Sequence, residues 1–138
     1  MNDLKRFLEA QENDFETALT EIGRGRKQSH WMWYIFPQIA GLGFSATSKF
    51  YAIKDRTEAE NYLAHPILGK RLIEISNALL AVEGKTANQI FGSPDDVKLK
   101  SSMTLFGALD NTNPVFQRVL DKYFDGAKDQ KTLELIDV

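Results

Sequence analysis

Apolar side chains return every three or four positions over most of this chain, and no stretch alternates apolar and polar residues as a half-buried strand does. Leu4, Phe7, Leu8, Phe15, Leu19 and Ile22 set the first stripe, over residues 3–22. Asn13 and Asp14 are helix-capping types, so this segment is expected as two short helices rather than one. Lys5, Arg6, Glu9, Glu12, Glu16 and Glu21 fall on the other side and are expected in solvent. Thr57 to Glu60 reads as a capping box opening a helix through Tyr62 and Leu63. His65-Pro66 opens the next helix, with Leu68, Leu72, Ile75, Leu79 and Val82 in one stripe and Gly84 at its end. Thr86 to Gln89 repeats the capping pattern before Ile90 and Phe91. Ser93-Pro94-Asp95-Asp96 starts a helix buried through Val97, Leu99, Met103, Leu105 and Phe106. Asn113-Pro114 starts another, ending at Gly126, and Asp129 to Ile136 forms a short amphipathic turn with Leu133 and Ile136 inward. Strand-like runs are confined to Trp33–Ile35 and Phe50–Ile53. The pattern predicts an all-α fold of about seven to nine short helices.

One stretch departs from that regularity, Gly23 to Gly43, GRGRKQSHWMWYIFPQIAGLG, and it holds both tryptophans. Gly23 and Gly25 end the helical pattern before it. Ser29 is placed to cap a short helix from His30, and Pro37 stops that helix at Phe36. Trp31, Met32, Trp33, Tyr34, Ile35 and Phe36 point all round such a helix, so most of its surface is buried. The plain reading is a core-nucleating segment. The sharper one is a pocket wall, in which an indole or the His30 ring stacks on a planar ligand and Arg26 or Lys27 meets an anion.

Composition narrows the chemistry. At 138 residues, 43% hydrophobic and 26% charged, the chain is expected to be one soluble globular domain over 1–138. A net charge of −2 gives no general attraction to nucleic acid or anionic membrane. Zero cysteines exclude disulfides, thiolate zinc sites and a cysteine nucleophile, and two histidines, His30 and His65, exclude a histidine-rich metal site within one chain. No metal and no cofactor is expected. The charged N-terminus reads as no signal peptide, and no run approaches the ~20 apolar residues of a membrane span. The expected location is cytoplasmic, with no membrane partner.

Outside the aromatic stretch a few polar positions stand out. Gly41 and Gly43 suggest a tight loop open to close approach by a neighbour or a ligand. Ser45, Thr47 and Ser48, beside Lys49, cap a short helix or line an anion site. Lys98, Ser101 and Ser102 share one side of their helix. Hydroxyls there bond back to the backbone or present a small polar patch to a ligand.

The runs GRKQSHWMWYIFPQIAGLG, EAENYLAHPILGKRL, IFGSPDDVKLKSSMTLF and FDGAKDQKTLELI, in that order, resemble the domain-of-unknown-function 1810 family of small bacterial proteins. The likeness covers nearly the whole chain and implies a mostly helical single domain with no established activity. Some members carry the label calpastatin. A calpain inhibitor is built from disordered repeats, and this capped, core-rich chain has none, so the label is not adopted here.

Two functions follow as expectations. The first is a binding domain, or an enzyme, for a nucleotide or other phosphate-containing ligand. Its candidate residues are Arg26, Lys27, His30, Trp31, Trp33, Gln38, His65, Lys98, Ser101 and Ser102, with His30 as candidate acid or base. The alternative is an interaction or adaptor module that uses the aromatic cluster as a hot-spot patch. The acidic balance argues against nucleic acid.

Overall fold

The computed structural model describes residues 4–137. Residue 3, the start of the first predicted segment, and the last residue of the expected domain lie outside the described residues. Among those described there are nine helices. They are α1 (Lys5–Gly23), α2 (Met32–Ile35), α3 (Ala46–Tyr51), α4 (Arg56–Ala64), α5 (Leu68–Ala81), α6 (Ala87–Phe91), α7 (Asp95–Gly107), α8 (Val115–Phe124) and α9 (Gln130–Ile136). The all-α expectation holds. The only pairing of extended backbone among the described residues is one parallel bridge between Ile39 and Ile53.

The core forms where α1 and α8 pack on α5 and α7 packs on α8, with α4 and α9 closing its sides. Phe7, Ile22, Trp31, Tyr62, Leu72, Phe106 and Phe116 are buried in one contiguous cluster. Removing such apolar area from water, at about 25 cal/mol per Å², is what holds short helices that would not persist alone. Close backbone approach is needed where α5 leaves α4. A Cβ on Gly69 would stand 1.9 Å from the Leu63 carbonyl oxygen, so no side chain fits there.

Residues 5–23 are one helix, where the sequence reads as two. Of the two side chains expected to cap a second helix, Asp14 has a tertiary use instead. The Asp14 carboxylate accepts the Tyr34 hydroxyl. One turn earlier Gln11, 1% exposed, donates to the Tyr34 carbonyl at 2.7 Å and the Tyr62 hydroxyl at 2.9 Å. Two members of the expected solvent side are also inside. Arg6 is buried and its guanidinium bonds to the Phe50 and Ala52 carbonyls, both at 2.8 Å, and to Glu58 at 3.0 Å. Glu21 is the other.

Several ends shift for similar reasons. Asp55, not Thr57, caps α4, accepting from the Glu58 N–H at 2.9 Å. The Thr86–Gln89 capping box forms as expected. α5 stops at Ala81, before Gly84, where the Lys122 ammonium takes up the Leu80 carbonyl at 2.7 Å and also the Val82 carbonyl. Val97, expected inside, is exposed, and α9 buries Thr132 and Ile136 with Leu133 only half-buried.

The region that matters below is the crossing of residues 37–43 with α3. Pro37 keeps α2 to four residues. The chain then runs extended, exchanging bonds with Ile53 (Ala40 N–H to Ile53 carbonyl, Ile53 N–H to Gln38 carbonyl, both 2.8 Å). It turns back through Gly41 and Gly43. A Cβ on Gly43 would lie 2.5 Å from that of Ser48, so glycine lets the turn close onto α3. Ser45 caps α3, accepting from the Ser48 N–H at 3.0 Å. α3 itself buries no residue.

Candidate functional site

The aromatic stretch divides into a closed half and an open half. The closed half is organised by Glu21, 5% exposed, near the end of α1. Its carboxylate accepts from the backbone N–H of Gln28 at 2.8 Å and of Ser29 at 2.9 Å, from the Ser29 hydroxyl at 2.5 Å, and from the Trp31 indole at 2.8 Å. Burial works against ionisation of Glu21. Those four donors outweigh it and hold its pKa at about 2, against an ordinary 4.5. Ser29, expected as a helix cap, is committed here, and α2 starts at Met32 instead. Trp31 is 1% exposed, packed against Phe36 and Phe91, with the Lys27 ammonium 5.0 Å from its ring centroid.

Lys27 is held as tightly. Its ammonium donates to the Ser29 carbonyl at 2.6 Å and pairs with Asp95 at 2.9 Å, with only 8% of its side chain exposed. Asp95 also faces Lys98 at 3.6 Å, and the Lys98 ammonium lies 5.5 Å from the Trp33 ring centroid. One carboxylate thus serves two cations, and the surplus positive charge stands beside Trp33.

The open half is a cleft lined by Trp33, Gln38, Gly41, Gly43, Ser48, Lys49 and Tyr51, with a cavity of about 100 Å³. Gln38 is half-buried at its edge, and Ser48 shares a 2.9 Å bond with Ser45. Beyond Trp33 and Tyr51, which line both, an open groove of about 510 Å³ runs along Tyr34, Ala46, Thr47 and Phe50. Burial and the hydrogen bond to Asp14 both push the Tyr34 hydroxyl well above its ordinary pKa. The arrangement offers an ammonium, an amide, a hydroxyl and an indole face around a small hollow, with neither histidine nor carboxylate among the lining residues.

The residues singled out in the sequence therefore do not gather at one place. Trp33 and Gln38 line the cleft, and Lys98 stands over Trp33. Lys27 and Trp31 belong to the sealed Glu21 network. The Arg26 and His30 side chains are exposed outside both. His65 sits before α5, where its Nδ1 accepts from the N–H groups of Ile67 at 3.1 Å and Leu68 at 3.2 Å. The Ser101 hydroxyl donates to Asp129 at 2.9 Å, tying α7 to the start of α9. Ser102 is fully buried, and its Oγ has no hydrogen-bond partner. The two serines form no shared polar patch. Ser48, Lys49 and Tyr51 are not among the leading candidates by sequence. The signal for the first two was the capped SATSK run, and Tyr51 had none.

Among the described residues no cluster of three histidine, aspartate or glutamate side chains is arranged to hold a metal. No helix among them is long and apolar enough to cross a membrane.

An all-α domain with a polar-rimmed aromatic cleft is the class these features define. The chain belongs to the family described as "Protein of unknown function (DUF1810)", whose model matches residues 1–136. Among solved structures it is similar to the conserved hypothetical protein Rv1873 from Mycobacterium tuberculosis, with 44% sequence identity and a TM-score of 0.96 over 99% of this chain and 98% of that one. No curated protein matches.

Proposed function

We propose that this protein is a small-ligand-binding domain whose site is the Trp33 cleft, and that the ligand presents a phosphate or other compact anionic group. The observation that carries the reading is the convergence of Lys49, Ser48, Gln38 and the Trp33 ring on one cavity, with Lys98 beside the same indole. An exposed ammonium and neutral donors around an aromatic face suit an anion attached to a flat or apolar group. The absence of histidine and carboxylate from the lining favours binding over acid–base catalysis. Lys27 and Trp31, for all their suitability by type, are supports in this reading.

The test is a thermal-shift screen of wild type, Lys49→Ala and Trp33→Leu against inorganic phosphate, nucleotides, ADP-ribose and small organic acids. A ligand at one hundred times its Kd stabilises by about 2.7 kcal/mol. The expected result is a shift in wild type that both variants lose while keeping their fold. A wild type that responds to nothing, or variants that respond as it does, would remove the proposal.

One observation favours a second reading. Phe44 is 85% exposed and Phe50 59%, so the surface formed by α3 and the loop before it also suits a protein partner. A partner complex abolished by Phe44→Ser but untouched by Lys49→Ala would select that reading.

A further inference from the structure

The cleft and the neighbouring groove divide the ligand's chemistry between them. The cavity at Lys49 is about 100 Å³, well below the roughly 300–1,000 Å³ of sites that enclose a whole drug-sized ligand. It has room for a head group and none for a nucleoside. Whatever is attached to that head leaves across Trp33 and Tyr51, the residues common to both hollows, and enters the groove along α3.

The groove has a different character. Its lining is Trp33, Tyr34, Ala46, Thr47, Phe50 and Tyr51, with no amide, carboxylate or cation. The Tyr34 hydroxyl is already spent on Asp14 and, at 3.2 Å, on the His30 carbonyl. Sites that select a nucleobase do so by hydrogen bonds to its edge, and rejection of analogues comes from buried polar groups left unpaired. This groove has too few to select one. It has aromatic surface in quantity.

α3 is shaped for this division. None of its residues is fully buried, Tyr51 alone packing against the core, and it turns Ser48 and Lys49 to the cavity and Ala46, Thr47 and Phe50 to the groove. Its C-terminal end is nonetheless fixed, because the buried Arg6 guanidinium holds the Phe50 and Ala52 carbonyls. The apolar exposure of Phe50 is therefore presented by a positioned backbone.

We infer that the ligand is an amphiphilic organic anion, a compact phosphate or carboxylate head joined to an aromatic or acyl body, and not a nucleotide. The inference rests on the Trp33 cleft being a ligand site. The Lys49 end supplies charge complementarity for the head, and the Trp33–Phe50 groove supplies apolar area for the body.

The experiment is calorimetric titration of the full chain with five probes: inorganic phosphate, phenyl phosphate, phenylacetate, octanoate and AMP. At least one of the three amphiphiles is expected to bind at least about tenfold tighter than both inorganic phosphate and AMP. Comparison among the three tells phosphate from carboxylate and aromatic from acyl. Phe50→Ala is expected to weaken that amphiphile by about fivefold or more without changing phosphate binding, whereas Lys49→Ala weakens both. If AMP binds tightest, or Phe50→Ala leaves the amphiphile unaffected while Lys49→Ala weakens it, the inference is overturned and the cleft survives as a site. If no probe binds, or Lys49→Ala and Trp33→Leu bind like wild type, the site itself falls and the inference with it. Sedimentation of the same samples covers one more outcome: a dimer lost on Phe50→Ala would make the groove a self-association face and overturn the inference.

Discussion

Trp31 and Trp33 are two residues apart, and each has a lysine ammonium 5 to 6 Å from its ring, yet they live in opposite environments. Trp31 is sealed, its indole bound to Glu21 and its lysine paired with Asp95. Trp33 is half-buried at the junction of two hollows, and its lysine is partly exposed. Residue type does not separate them. What separates them is the carboxylate of Glu21, delivered by α1 from outside the stretch, which accepts from four donors on the Gln28–Trp31 side and from none on the other. A tryptophan beside a lysine becomes a support or a binding surface according to whether the fold supplies it with partners.

The largest effect is therefore expected from Glu21→Ala. It orphans two backbone N–H groups, the Ser29 hydroxyl and the Trp31 indole at once. Each buried donor left unmade costs roughly 1–3 kcal/mol, and partial access of water leaves a total of about 3–5 kcal/mol. Urea unfolding at neutral pH measures it. A loss below about 1 kcal/mol would mean the network is a surface detail, and the contrast between the two halves would collapse.

The same carboxylate sets an acid limb. Its folded pKa, about 2, lies below the unfolded value near 4.5, so its stabilisation is complete above the unfolded value and is lost as pH falls from there toward the folded one. The amount at stake is on the order of 3 kcal/mol. Urea midpoints at several pH values between neutrality and pH 2.5 should converge for wild type and Glu21→Gln as acid removes what the variant already lacks. Parallel curves would assign the acid limb to other carboxylates.

Lys27→Met comes next, at about 1–3 kcal/mol, because it strips the nearer partner from a mostly buried Asp95 while keeping the apolar stem. Its ligand response should survive if the cleft is the site. Loss of a confirmed ligand's shift in a folded Lys27→Met protein would move the site back to the sealed half.

The sequence made the outline legible and hid the hub. Pro37, Gly126, the Thr86–Gln89 box and the apolar stripes of α5 and α8 are local signals, read over a turn or two of chain, and the fold class follows from them. Arg6 and Glu21 looked like ordinary members of a charged helix face. Their partners lie on other elements, at residues 50–58 for Arg6 and beyond the end of α1 for Glu21, so no periodicity announces their burial. Lys27 drew attention as a free cation for the same reason: Asp95 is far along the chain. The cleft was half legible. Trp33 and Gln38 stood out by type, whereas Lys49 and Tyr51 join them only because the Ile39–Ile53 bridge folds residues 37–43 back against α3.

The smallest stability change should come from Lys49→Ala, and that makes it the sharpest instrument. The Lys49 ammonium is exposed and makes no ion pair or hydrogen bond among the described residues, so its removal should stay within about 0.5 kcal/mol of wild type. Tryptophan emission supplies the companion measurement. In a Trp33→Phe protein the remaining Trp31 is shielded and should resist iodide quenching, whereas in wild type the Trp33 fraction should be quenched and then protected by a bound ligand. Lys49→Ala should retain the quenching and lose the protection. A variant that is as stable as wild type but no longer protects Trp33 separates recognition from folding, which no substitution in the Glu21 network can do, because there every group suited to recognising a ligand is already holding the chain together.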